Sequence, residues 1–405
     1  MRLSAATAAA TAPRLRVVSV CRLLPTPQDP AAGTFIFNRI AALACRAHVR
    51  LIQPLPYFPV ARPLPKWAEA PMRTSAGMSI AHAPMFYVPG VLKGFDGRWL
   101  ARSVRSQVRA WHAAEGIDLI DAHFGYPEGA GCAAIARELG VPLFVTIRGT
   151  EADMLKRPQV SEHLLMALRE ARGVVSVSHS LRALMTSNGV DPERIAVIPN
   201  AVDRARFHPG DRAQARAALG IAPHDVVIVS VGHLLSVKRH TILIEAMRRL
   251  RQTHTAKLVI IGGPSYEPGY PQALRAQVEQ AGLGGVVSFA GSLPPAEVAQ
   301  WLRAANLFAL ASAREGCCNA LLEALACGLP AVVTAVGDNP HFVRPGLDGD
   351  LVAVDDAAQL HVALRAALER TWDGVAISRR LSVGDWDQVA LRLVEFFSTR
   401  RGERA

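Results

Sequence analysis

Two kinds of apolar pattern alternate along the chain. Short apolar runs with little charge give way to stretches whose apolar positions recur every three or four residues. Runs of the first kind predict strands covered on both faces, and the second kind predicts the covering helices. In the first half the runs are Leu15–Val20, Val49–Pro54, Leu119–Ala122, Leu143–Thr146, Gly173–Val177 and Ile195–Ile198. In the second half they are Val226–Val231, Lys257–Ile261, Val286–Ala290, Leu307–Ala309, Ala331–Thr334 and Leu351–Val352. Such alternation predicts βαβ units and parallel sheets. Pro199, Pro209 and Gly210 interrupt the rhythm before a helical stretch, Arg212–Leu219, and a fresh strand. Two α/β domains are therefore expected, at 15–200 and 201–380, with ligands bound at the carboxyl ends of their strands. A last helical stretch, Asp385–Arg400, carries Val389, Leu391, Leu393, Val394, Phe396 and Phe397, so it must pack on something. Residues 1–14 read as a disordered tail: alanine and threonine replace the Leu/Ile/Phe run that a signal peptide needs.

Composition narrows the class. With 50% hydrophobic and 20% charged residues over 405 positions, the chain can bury several cores and is not a disordered protein. Six cysteines form no CxxC pair, which excludes a disulfide scaffold or a zinc module and suits reduced thiols in the cytoplasm. Lys and Arg number 45 against 34 Asp and Glu, a surplus that favours an anionic partner. Basic residues are not interleaved with aromatics, which argues against nucleic acid. The longest apolar run, Ala320–Gly337, holds Glu323, Gly328 and Pro330, so it reads as helix, turn and strand and not as a membrane span.

The most informative segment is Ser312–Pro330, SAREGCCNALLEALACGLP. Asn319 is placed to cap a helix that Gly328 and Pro330 end. Glu315 falls in the loop before this helix and Glu323 on it. Backbone N–H groups at Gly316, Cys317, Cys318 and Asn319 would attract phosphate or sugar oxygens, and the carboxylates would accept hydrogen bonds from sugar hydroxyls. On spacing alone, an ordinary capped helix with surface glutamates fits at least as well.

The wording around it decides. EGCCNALLEALACGLPAVV resembles the Glu-x7-Glu signature of retaining glycosyltransferases of family 4 (glycosyl transferases group 1), which have the two-domain GT-B fold. GTFIFNRIAAL from Gly33, DAHFG from Asp121, TIRGTE from Thr146, IPNAVDRARF from Ile198 and SVGHLLSVK from Ser230 resemble that family's other motifs, in order. The resemblance implies two Rossmann-like domains, an acceptor-binding one and a nucleotide-sugar-binding one, facing a central cleft. Residues 381–405 would cross back to the first domain. It also implies that Glu315 contacts the transferred sugar, Glu323 the ribose and Lys238 the donor diphosphate. His123 would face the donor sugar, Arg148 and Gly33 would line the acceptor side, and the base would sit near Gly291 and Leu293. No cofactor or metal is expected. Asp348–Asp350 and Asp385–Asp387 form DxD tripeptides, but a turn and a helix start are poor places for a catalytic ion.

Three positions depart from the family pattern. His233 stands where arginine is usual, giving a weaker and pH-dependent cation for phosphate. GDNPH from Gly337 replaces GGxPE, with an added Asp338 and no glutamate, and Thr150–Glu151 replaces a pair that usually ends in Asp.

The resemblance implies same-face transfer of a sugar from a nucleotide-diphosphate sugar to a glycan or lipid-linked acceptor, in cell-envelope or exopolysaccharide synthesis. An epimerase of the same fold and a basic nucleic-acid-binding protein are the alternatives. Arg98, Arg102, Arg105 and Arg109 share one helix face, which suits either a solvated helix or a peripheral contact with an acidic membrane.

Overall fold

The computed structural model describes residues 14–29, 32–59, 62–69, 71–73, 78–264 and 267–402. The tail expected at 1–14 lies, but for Arg14, outside the described residues.

Among the described residues, fourteen strands build two sheets. The first contains β1 (Arg16–Val20), β2 (His48–Tyr57), β3 (Met72–Arg73), β4 (Ser79–Phe86), β5 (Leu119–His123), β6 (Leu143–Ile147), β7 (Gly173–Ser176) and β8 (Ile195–Val197). Their order is β3-β4-β2-β1-β5-β6-β7-β8. The β1–β2, β1–β5, β2–β4 and β5–β6 pairs are parallel, and the short β3 runs antiparallel to β4. The second sheet contains β9 (Val226–Val231), β10 (Ala256–Ile261), β11 (Val287–Gly291), β12 (Leu307–Leu310), β13 (Ala331–Thr334) and β14 (Gly349–Val352). It is parallel throughout, in the order β11-β10-β9-β12-β13-β14.

Every residue of β5, β6, β12 and β13 is buried, which is why these strands read as apolar runs without alternation. In the second sheet Ile228, Leu258, Ile260 and Leu307 pack with Leu243, Met247 and Leu250 of the helix His240–Leu250 and with Leu360 and Leu364 of the helix Ala357–Glu369. Burying each such side chain stabilises the fold by about 1.5–3 kcal/mol.

The first sheet holds two differences from the sequence reading. β2 runs past its expected end at Pro54 to Tyr57, through Pro56. β1 pairs with it only as far as Ile52, so beyond that point β2 needs donors toward β4 alone, and proline is tolerated. β4 was not anticipated. Its sequence, SIAHAPMF, is rich in alanine and contains Pro84, and its burial alternates weakly. With a two-residue β3 as outer neighbour it is close to an edge strand, where such a sequence is allowed.

The chain forms two compact units. One comprises residues up to Thr146, Asp153–Val175 and the C-terminal stretch from Ala390; the other comprises Ile147–Ala152 and Ser176–Val389. The second unit thus begins before the break expected near residue 200. The terminal helix, Trp386–Gly402, enters the first unit at Ala390. There Phe396 and Phe397 meet Phe144 of β6, with ring centroids 5.7 and 4.7 Å apart. Gly173 makes room for them, since a Cβ there would stand 2.7 Å from the Phe396 ring.

Candidate active site

In the second unit β9 lies between β10 and β12, so the chain leaves β9 to one side and returns beside it. The loops that follow β9 and β12 diverge at this switch point, leaving a place for a ligand at the strand ends. The β9 loop is stitched down on its other side: Gly232 N–H donates to Ile261 O at 2.9 Å and Leu234 N–H to Gly263 O at 2.9 Å. Ser236 donates to Glu267 through both its N–H and its hydroxyl. A short turn, Ser236–Lys238, then aims the lysine at the β12 loop, whose Ala313 N–H donates to Val237 O at 2.8 Å.

Lys238 Nζ donates to Glu315 Oε1 at 2.6 Å, and Ser312 Oγ donates to the same oxygen at 2.6 Å. The side chains of Lys238 and Glu315 are 19% and 9% exposed. Burial opposes the lysine's charge, but Glu315 outweighs it and raises the Lys238 pKa. Two motifs 77 residues apart in sequence therefore meet as one ion pair.

The helix that follows, Asn319–Ala326, differs from expectation at its start. Its N-cap is Cys318, with no side-chain cap, and Asn319 is the first helical residue. The Asn319 carboxamide is turned aside: its Oδ1 accepts from Asn200 Nδ2 at 2.8 Å, and Asn200 Oδ1 accepts from Arg148 Nη1 at 3.3 Å. An end without a side-chain cap leaves backbone donors for a ligand. Gly316 is needed for close approach, because a Cβ would stand 2.7 Å from Arg148 O. Gly337 has φ 56°, and a Cβ there would stand 2.3 Å from Glu315 O. The thiols of Cys317 and Cys318 are buried, which pushes Cys317 up to about 12 and Cys318 higher still. Neither is a reactive thiolate near neutrality.

Glu323 is half-buried on the same helix, and burial pushes its pKa up to about 8 despite Arg206 nearby. His233 is exposed at the start of the β9 loop, and its ring has no hydrogen bond or ion pair among the described residues. Gly291 ends β11 at φ 74° and accepts from Gly262 N–H at 2.8 Å; Leu293 is half-buried just beyond it.

The remaining sequence candidates lie in the first unit. His123 ends β5, 1% exposed, with Nε2 3.0 Å from Asp121 Oδ2, and Ser19 Oγ donates to that oxygen at 3.2 Å. Gly33 caps the helix Thr34–Arg46 at φ 60°, pressed against Leu23 O. Of the departures from the family pattern, Glu151 steadies its own loop, where its carboxylate accepts the backbone N–H groups of Arg148 and Gly149. Asp348 is held by Arg344 and Arg380, and Asp385 caps the terminal helix, so both DxD tripeptides are engaged in the fold. Sequence reasoning missed Ser312 and Asn200. The signal available for each was a polar residue inside a motif whose neighbours are apolar.

The profile of Glycosyl transferases group 1 matches residues 211–379, and that of Glycosyltransferase Family 4 matches residues 64–206. A D-inositol 3-phosphate glycosyltransferase from Geodermatophilus obscurus is 31% identical over 317 residues, covering 73% of this chain and 69% of its own. The chain belongs to the group 1 glycosyltransferases. D-inositol 3-phosphate glycosyltransferase 1 from Catenulispora acidiphila is likewise 31% identical, over 72% of this glycosyltransferase and 73% of its own length. The architecture agrees with solved structures at TM-scores of 0.76 for a sucrose-phosphate synthase from Thermosynechococcus elongatus and 0.73 for Anabaena HepE in complex with UDP-glucose. These are 20% and 19% identical, each over 95% of this chain and 99% and 100% of theirs, which shows the GT-B fold. Among the described residues, no helix of the glycosyltransferase is long and apolar enough to cross a membrane.

Proposed function

We propose that the glycosyltransferase moves a sugar from a nucleoside diphosphate sugar to an acceptor hydroxyl with retention of configuration. The observation that carries this reading is the Lys238–Glu315 pair beside a helix start that no side chain caps. A departing diphosphate is an anion, so the site must stabilise negative charge. Lys238, the helix start and His233 supply that. Glu315 holds sugar hydroxyls, Glu323 the ribose, and Gly291 and Leu293 the edge of the base. His123, Arg148 and Gly33 serve the sugar and acceptor. The bond from the anomeric carbon to the phosphate oxygen breaks, the acceptor oxygen attacks on the same face, and the leaving phosphate takes the acceptor's proton. No step of this chemistry needs a metal or another cofactor. The names of the inositol-phosphate relatives and the UDP-glucose complex of HepE support a phosphorylated polyol as one acceptor to test and UDP-glucose as one donor.

A lipid-linked glycan, and with it a role in envelope polysaccharide synthesis on the cytoplasmic face of a membrane, has separate support. In the helix Asp96–Glu115, Arg105 and Arg109 pair with Glu138, while Arg98 and Arg102, both exposed, have no ion pair among the described residues. The turn just before it exposes Val91, Leu92 and Phe95 at 56%, 54% and 44%. Apolar side chains beside two exposed arginines suit a shallow contact with acidic lipid.

Nucleotide release from UDP-, GDP- and ADP-sugars, with inositol 3-phosphate or a lipid-linked glycan as acceptor, tests the reading. Acceptor-dependent release that Lys238→Ala abolishes is expected. Release that ignores both acceptor and Lys238→Ala would overturn it.

A further inference from the structure

We propose that His179, Asp338 and His341 form a binding site for one transition-metal dication of the zinc type, outside the sugar-transfer chemistry. Among the described residues this is the one group of three or more His, Cys, Asp or Glu side chains whose ligand atoms converge, all within 4.8 Å of one another. His179 opens the helix His179–Ser187, Asp338 precedes the short helix Asn339–Phe342, and His341 lies on that helix. Segments 159 residues apart thus supply one donor set.

The geometry is half assembled. His179 Nδ1 is 3.1 Å from Asp338 Oδ2. Tetrahedral ligands at about 2.0–2.1 Å from zinc stand roughly 3.3 Å apart, so this pair already has the spacing. The two imidazoles are stacked, with centroids 4.6 Å apart and planes inclined by 8°. They need to fan by small rotations to share an ion, and both residues are exposed, which leaves the rings room to turn. Asp338 is 1% exposed and is fixed by backbone donors: His179 N–H donates to Oδ2 at 2.7 Å and Ser180 N–H to Oδ1 at 2.9 Å. Such outer partners hold a ligating carboxylate in place. The two exposed rings leave an open route for the ion.

Two imidazoles and one carboxylate select zinc, cobalt or nickel over magnesium or calcium. Three protein ligands leave a fourth position for water. Asp338 N–H also donates to Gly316 O at 3.3 Å, so the ion would brace the loop that carries Glu315. His341 and Asp338 are the residues by which GDNPH departs from the family pattern, which gives that departure a use.

Cobalt(II) titration of the full chain, without an affinity tag, tests the site. Visible d–d bands that saturate at one equivalent and are displaced by zinc are expected. His179→Ala and His341→Ala, both at exposed positions, should each weaken cobalt binding by at least about tenfold. His224→Ala, remote in sequence and exposed, should leave it unchanged. Zinc should raise the Tm of the wild type and of neither site variant. Absence of the bands, or equal affinity in the wild type and both site variants, would overturn the proposal.

Discussion

Two ion pairs, one in each unit, use charge in different ways. In the first, the polar residues at the strand ends are locked inside: Glu128 is fully buried and Arg22 holds it through both its N–H and its side chain, at 3.1 and 3.0 Å. In the second, Lys238 and Glu315 pair in loops at the strand ends, where, on the assignment proposed above, a ligand exchanges for either partner. The Arg22–Glu128 pair serves the fold, because breaking it strands the fully buried Glu128 carboxylate away from water. On the assignment proposed above, the Lys238–Glu315 pair beside the uncapped helix start is a resting state.

Removing one partner from each pair separates these roles most sharply. Lys238→Ala should lower kcat/KM by about a thousandfold, as for the loss of a donor to a developing oxyanion, with little change in Tm. Initial rates and a thermal melt on the same sample check this. A large loss of stability with a modest loss of rate would move the lysine to the structural class.

Arg22→Ala should do the reverse. Burial already raises the Glu128 pKa and Arg22 opposes that rise, so the variant leaves a carboxyl that protonates. Destabilisation of about 3 kcal/mol is expected, measured by urea unfolding, with donor affinity unchanged. Glu128→Gln with Arg22 intact should cost less.

Glu323 gives a smaller effect that depends on pH. Its folded pKa is about 8, above the ordinary carboxylate value of about 4.3. The folded state therefore holds the proton more tightly, and that stability is complete below about pH 4. It is lost as pH rises toward 8, at roughly 1.4 kcal/mol per unit at most. Glu323→Gln does not titrate, so its Tm advantage over the wild type should widen from pH 5 to 8 and then level off. A constant difference across that range would mean that the carboxyl is ionised in the fold.

The mildest change is His233→Arg. Arginine places a permanent, forked cation beside the β9 loop, so on the assignment proposed above affinity for UDP should rise a few-fold in the variant, measured by calorimetry. Equal affinity in the two proteins would remove His233 from the donor site.

What the sequence revealed follows the same division. The second sheet was legible strand by strand; its inner strands β9, β10, β12 and β13 are largely buried on both faces and admit little but apolar residues. The loop with Glu315 and the helix with Glu323 were legible because a loop, a helix start and a stop sit within a few residues, but the roles of the two glutamates came from the family resemblance alone. The edge of the first sheet was not, since β4 carries a proline and small side chains that only its partial exposure permits. Nor was the cap of the Asn319–Ala326 helix: Asn319 has the right residue type, but Asn200 draws its side chain away, and a partner 119 residues distant leaves no local trace. Asp338 was visible as an oddity. Its hold on His179 and Ser180 depends on how two loops meet.

The Lys238–Glu315 pair makes the resting loop electrically self-satisfied. An anion that takes the lysine deprives the glutamate of its counter-charge. Free phosphate or pyrophosphate offers that glutamate nothing in return, whereas a sugar diphosphate arrives with hydroxyls that can. On the assignment proposed above, the pair acts as a lock with two keys, opened by a molecule that carries negative charge and hydroxyl groups together. The small phosphates that crowd a cell hold only one.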